Sequence, residues 1–175
     1  MNEQQGLVIV NTGNGKGKTT AAMGQALRAV GHGMRVCVIQ FIKAQEWTGE
    51  AMALRQAFHG QVEFHVTGSG FTWTQEQEQV REAALQGWRL AREKIESDAW
   101  ELVVLEELTY LISLGVLPEE EVLAVLRERP ARLHVVITGR HASQGLIDYA
   151  DLVSEMREIK HPYHKGIKGR KGIEF

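Results

Sequence analysis

A chain of 175 residues, 43% apolar and 24% charged, has the balance of one globular domain with a packed core, and it shows no linker, repeat or low-complexity tract. Its formal net charge of −2 excludes a strong overall field for nucleic acid or an anionic membrane, so any basic site must be local. The single cysteine, Cys37, excludes an internal disulfide, while a polar start and the lack of a long apolar run speak against a secretory signal or membrane span and make the cytoplasm the expected compartment.

Apolar runs rich in β-branched residues predict strands over residues 7–10, 35–41, 62–66, 102–105, 133–138 and 152–159. Cys37 lies inside the second run and reads as a buried, inert thiol. Between the runs, the alanine-rich stretch 19–30 predicts a helix. Residues 75–96 predict another, with Val80, Ala84, Trp88, Ala91 and Ile95 at helical steps and a capping-box start at Thr74. A third, 119–127, follows Pro118. Alternating strands and helices imply crossover connections, hence an α/β fold with a mostly parallel central sheet flanked by helices. A basic, glycine-containing tail begins at about residue 160. Ligands of such sheets bind beyond the carboxyl ends of the strands, where loops 12–20, 40–47, 67–73, 106–110 and 138–141 should converge.

The first of these loops reads Thr12-Gly13-Asn14-Gly15-Lys16-Gly17-Lys18-Thr19-Thr20. It follows an apolar strand and opens a helix, the context a phosphate-binding P-loop requires. Its glycines let backbone N–H groups wrap phosphate oxygens, and the helix N-terminus adds its positive dipole end. Lys18 should reach the terminal phosphates, and the Thr19 hydroxyl should ligate magnesium. The general pattern wants glycine where this chain has Thr12. The run Leu102-Val103-Val104-Leu105 ends in Glu106 and Glu107, a strand-end acid pair suited to holding the metal directly or through water. Consecutive strand residues face opposite ways, so the two acids should differ in role.

Further segments carry a resemblance. The string Thr12 to Ala22 is followed by Gly31-His32-Gly33 and Gln40-Phe41-Ile42-Lys43. Then come Gly70-Phe71-Thr72-Trp73, Glu106-Glu107-Leu108-Thr109-Tyr110 and Thr138-Gly139-Arg140. Asp151-Leu152-Val153-Ser154-Glu155-Met156, His161-Pro162 and the terminal Lys171-Gly172-Ile173-Glu174-Phe175 complete the set. In this order, over about residues 7–175, they resemble the P-loop class of ATP:corrinoid adenosyltransferases. The resemblance implies that Co(I) of a reduced corrinoid attacks C5′ of ATP, so that the adenosyl group moves to cobalt and triphosphate leaves. It implies a reversed ATP, with the γ-phosphate in the pocket that usually holds the β-phosphate. It also implies Mg2+ or Mn2+, a flavin-type reductase as partner, and a homodimer. Lys18 and Thr19 match the phosphate and metal groups, Glu107 the metal-binding glutamate, and Arg28 an arginine associated with the nucleotide. Phe71 and Trp73 match an aromatic pair beneath the corrin ring that keeps the lower axial ligand off cobalt and so eases reduction of Co(II).

Departures from the family pattern stand beside these matches. Glu106 occupies a position where the family has aspartate. The tail Ile167-Lys168-Gly169-Arg170-Lys171 replaces a common Lys-Ala-Gln, and only 11 residues precede the loop where some relatives carry a longer cover. Arg140 reads equally as a phosphate contact or as a salt-bridge partner of Glu106 or Asp151. His161 and His164 make a poor zinc pair without a third ligand and read better as a tail over the substrate mouth or a subunit contact. Lys43 and Trp47 are candidates for the corrin pocket. The competing readings are a P-loop ATPase or kinase cleaving the γ-phosphate, with Glu106 positioning water or an acceptor, and a nucleotide sensor without turnover.

Overall fold

All six apolar runs form strands in the computed structural model, which describes residues 5–42, 48–68 and 77–174. They are β1 (Val8–Thr12), β2 (Val36–Gln40), β3 (Val62–Val66), β4 (Leu102–Glu106), β5 (His134–Thr138) and β6 (Leu152–Glu155). They make one sheet in the order β3-β2-β4-β5-β1-β6, and every adjacent pair is parallel. The helices are α1 (Lys18–Gly31), α2 (Gly49–Ala57), α3 (Gln77–Glu96), α4 (Leu108–Ser113), α5 (Glu119–Glu128) and α6 (Gln144–Tyr149). A short 3₁₀ turn, Pro162–Lys165, lies in the tail.

The four inner strands, β2, β4, β5 and β1, are buried along nearly their whole length because helices cover both faces of the sheet there, whereas the edge strands β3 and β6 carry Glu63, His65, Ser154 and Glu155. On one face Ile9, Val38, Val104 and Val136 pack against Ala22, Met23 and Ala26 of α1 and Ala51 and Leu54 of α2. On the other, Val10, Ile39, Leu105 and Ile137 meet Trp88, Ala91 and Ile95 of α3 together with α4, α5 and α6. Each fully buried aliphatic side chain contributes about 1.5–3 kcal/mol relative to exposure.

Three boundaries shift with consequences for the site. β1 and β4 run two residues and one residue further than expected, so Thr12 and Glu106 are strand-end residues with fixed side-chain directions. β6 stops at Glu155 rather than at 159. The Met156 N–H still reaches the Thr12 carbonyl at 2.8 Å, but the Met156 carbonyl turns to accept from Gly15 N–H at 2.6 Å, and the chain leaves the sheet along the glycine loop. Helices α2, α4 and α6 were not anticipated. The expected first residues of α3, 75 and 76, lie outside the described residues.

Candidate functional site

The parallel sheet brings every strand's carboxyl end to one edge, and a cavity of about 520 Å3 opens there. Residues 14–20 of the glycine loop, with Thr48, Gly49 and Glu50, form much of its wall. Glu107, Tyr110, Arg140, His161 and the tail residues Gly172, Ile173 and Glu174 complete it.

The loop is shaped by glycine where other residues do not fit. Gly13 has φ 97° and Gly17, the cap of α1, has φ 109°, both in the left-handed region. A Cβ on Gly15 would lie 2.7 Å from the Met156 carbonyl oxygen. No side chain caps α1, so its first turn faces the cavity with backbone N–H groups and the dipole's positive end. Lys18 is buried, and its ammonium donates to the carbonyls of Gly13 at 2.8 Å and Gly15 at 2.7 Å. The cation is therefore drawn across the loop it must serve. Thr12 is not a flexible loop residue: it is buried at the end of β1, and its hydroxyl accepts from Ala142 N–H at 3.2 Å.

The two acids do separate jobs. Glu106 shares the α1 face of β4 with Leu102 and Val104, is fully buried, and accepts from the Thr19 hydroxyl at 2.7 Å. It does not line the cavity. Glu107, one residue on, is the N-cap of α4 with φ 65° and does line it. Thr19, Glu107 and Glu106 together offer only oxygen donors, which is the set Mg2+ or Mn2+ prefers.

Arg140 is exposed and faces the cavity. The two acids weighed as its partners are engaged elsewhere: Asp151 accepts from Val8 N–H at 2.7 Å, and Glu106 from Thr19. Lys16 and Thr20 are exposed on the cavity rim, Lys16 in an ion pair with Glu174 at 2.7 Å. That pair holds the Glu174 carboxyl below the usual carboxylate range. Arg28 stands apart. It is exposed on the last turn of α1, about 15 Å along the helix from Lys18, and is not part of the cavity wall.

His161 lines the cavity, as a tail over the substrate mouth requires, whereas His164 pairs with Glu158 at 2.6 Å. Phe71, Trp73, Lys43 and Trp47 lie outside the described residues. The sequence reading missed Thr48, Gly49 and Glu50. The signal for them was present: Thr48 caps α2 by accepting from Ala51 N–H at 3.3 Å, and Glu50 follows in the first turn.

Away from the cavity, Cys37, Glu63 and His65 bring possible ligand atoms within 4.8 Å of one another. Lys94 already supplies the cation there, with its ammonium 2.7 Å from Glu63. Burial pushes the Cys37 thiol up to about 12. The cluster is an ion-pair network against an inert thiol, as expected of Cys37.

A sequence profile for ATP:corrinoid adenosyltransferase BtuR/CobO/CobP matches residues 4–175. The corrinoid adenosyltransferase CobA of Salmonella typhimurium is 46% identical over 174 residues, 99% of this chain and 87% of that protein. The corrinoid adenosyltransferases of Escherichia coli K12 and Pseudomonas aeruginosa are 45% and 44% identical over 174 residues, covering 87% and 85% of their own chains.

Proposed function

The chain belongs to the ATP:corrinoid adenosyltransferases, enzymes that transfer the adenosyl group of ATP to a corrinoid, and from that membership we propose how its cavity does so. The triphosphate lies in the glycine loop with the γ-phosphate innermost, so that C5′ of the ribose faces outward toward a reduced corrinoid. The Co(I) of that substrate donates an electron pair to C5′, the C5′–O bond breaks, and triphosphate leaves with its bonding pair. Cobalt is formally oxidised to Co(III) as the Co–C bond forms. No protein side chain need act as nucleophile or base, because the corrinoid supplies the attacking electrons.

The observation that carries this reading is the buried Lys18 ammonium, held within the glycine loop at the N-terminus of α1 and opening on the same cavity as Glu107 and Arg140. Lys18 and the α1 N–H groups stabilise charge growing on the departing triphosphate, where such donors are worth most. Thr19 and Glu107 would hold Mg2+ or Mn2+, with Glu106 orienting the Thr19 hydroxyl. When bound, the ion neutralises part of the polyphosphate charge. Hydrolysis at the γ-phosphate is not favoured, since Glu106, the residue that would position water, is buried against Thr19 away from the cavity.

Phe71 and Trp73 take the lower face of the corrin ring in this proposal, and a flavin-type reductase supplies the electron for Co(II). A homodimer is supported by the exposed Leu152 and Val153 on the outer strand β6 and by Ile159, Tyr163 and Ile173 in the tail.

The test mixes protein, ATP, Mg2+ and chemically reduced cobalamin and follows a light-sensitive adenosylcobalamin spectrum. Phosphorus NMR should show free triphosphate; orthophosphate alone would refute adenosyl transfer. Lys18→Ala should lower the rate by at least about a hundredfold. Phe71→Ala and Trp73→Ala should impair turnover from Co(II) far more than from Co(I), and equal losses would remove them from the lower face.

A further inference from the structure

The cavity's charged groups ride on loops after three adjacent strands: β4 carries Glu107, β5 carries Arg140, and β1 carries the glycine loop. Loops of this kind are mobile unless tied down. Here each is tied to its neighbour by a buried threonine hydroxyl. Thr138, fully buried at the end of β5, accepts from Glu107 N–H at 3.0 Å. Thr109, fully buried on α4, donates to the Arg140 carbonyl at 2.6 Å. Thr12, at the end of β1, accepts from Ala142 N–H at 3.2 Å. The middle loop is thus fastened on both sides.

Local strain marks the same place. Glu107 has φ 65°, a conformation a non-glycine residue keeps only when its surroundings hold it. Its N–H is the group that Thr138 takes. Gly139, between Thr138 and Arg140, has φ 141°, and a Cβ there would collide with the Thr109 hydroxyl. Thr12 occupies the position where the general P-loop pattern has glycine. A glycine there could shape the loop but could not fasten it to the loop of Arg140.

We propose that Thr12, Thr109 and Thr138 are positioning residues, a set of three hydroxyls that lock the loops after β1, β4 and β5 so that Glu107 and Arg140 meet the triphosphate and its cation in fixed geometry. The proposal rests on the reading of this cavity as the triphosphate site. The three side chains touch neither substrate nor metal; they act through Glu107 and Arg140. Losing one hydroxyl strands a backbone partner and lets the loop it held rotate away.

The experiment measures equilibrium binding of Mg-ATP and of inorganic triphosphate to the full chain, alongside thermal unfolding and steady-state rates. Thr138→Val and Thr109→Val should weaken both ligands about tenfold and lower kcat as well. Thr138→Ser and Thr109→Ser, which keep the hydroxyl, should return affinity to within about twofold of the parent. Valine variants that fold and bind as the parent does would overturn the proposal. A lower Tm with unchanged affinity of the folded protein would overturn it too, leaving the threonines a purely structural role. So would serine variants that fail as badly as valine. Should the valine variants not fold, Thr12→Gly removes a hydroxyl without adding bulk, and its loss of affinity should shrink when Arg140→Ala is already present. Equal losses in both backgrounds would sink the idea. Failure of the unmodified protein to bind either ligand would instead remove the triphosphate reading beneath it.

Discussion

His134 shows how one side chain near the start of β5 sets a pH limit on the fold. Its Nδ1 accepts from Leu7 N–H at 3.0 Å, so that nitrogen must stay unprotonated. Burial, and secondarily the nearby Arg129 charge, hold its pKa below the ordinary value. In the unfolded chain the imidazole titrates near about 6.5. Between that value and the lower folded one, the unfolded state binds a proton the folded state refuses. This contribution to stability is complete above about 6.5 and is lost as pH falls through the folded value. The Tm should therefore drop between about pH 7 and 5, and His134→Asn should flatten the slope in that window. Identical slopes for the two proteins would remove His134 as the cause. Glu63 and Glu101, whose pKa values are also lowered, act only in the more acidic carboxylate range. Cys37 makes a simpler test. With no exposure and a thiol pushed up to about 12, it should ignore a disulfide reagent until the chain unfolds.

Between helices, one polar contact joins α3 to α5: Trp88 Nε1 donates to Glu121 Oε1 at 2.7 Å. The indole is otherwise packed in the core, so Trp88→Phe should cost about 1 kcal/mol from the lost hydrogen bond plus a packing loss, read as a lower urea midpoint at unchanged slope. Glu121→Gln keeps an acceptor and should cost less. The long helix α3 could be read from its sequence because Trp88, Ala91 and Ile95 recur at helical steps. The four inner strands were readable because a sheet covered on both faces demands apolar runs, and the edge strands β3 and β6 because β-branched residues persist there beside polar ones. Helices α4 and α6 were not, being six residues each, too short to show a period. The Ser143 cap of α6 makes no capping bond of its own. Instead Glu119 accepts from the Ser143 hydroxyl and from Leu146 N–H, a partnership across 24 to 27 residues that no local pattern reveals. The same division holds in the site. Lys18 and Thr19 were legible from a contiguous motif, while Arg28 rested on the family resemblance alone and lies a helix length from the loop. The difference between Glu106 and Glu107 followed from strand alternation, but the left-handed turn that aims Glu107 at the cavity depends on Thr138 in another strand.

The tail returns to the start of the fold across the cavity at the carboxyl ends of the strands. Met156 hands its carbonyl to Gly15 N–H, and Glu174 pairs with Lys16 while Gly172 and Ile173 join the cavity wall. This closure comes from contacts more than 140 residues apart in sequence, about as non-local as the chain allows. It places the Glu174 carboxylate beside the glycine loop, which in the proposed function receives the triphosphate. Glu174 stays ionised, since Lys16 holds its carboxyl below the usual range. On the proposed reading of the cavity, an incoming triphosphate takes Lys16 from Glu174 and tolerates the carboxylate's charge nearby. With the Lys16 ammonium largely in solvent, this pair is too well screened to hold a fold together, so Glu174→Gln should leave the Tm unchanged. It should lower the KM for ATP by about twofold with kcat unchanged, because removing a like charge favours ground-state and transition-state binding equally. Raising the salt concentration should shrink the difference between the two proteins, as it does for any interaction between exposed charges. ATP titrations at two ionic strengths decide the matter. If the KM rises instead, Glu174 serves to close the tail over bound nucleotide, and the competition for Lys16 is not what limits ATP entry.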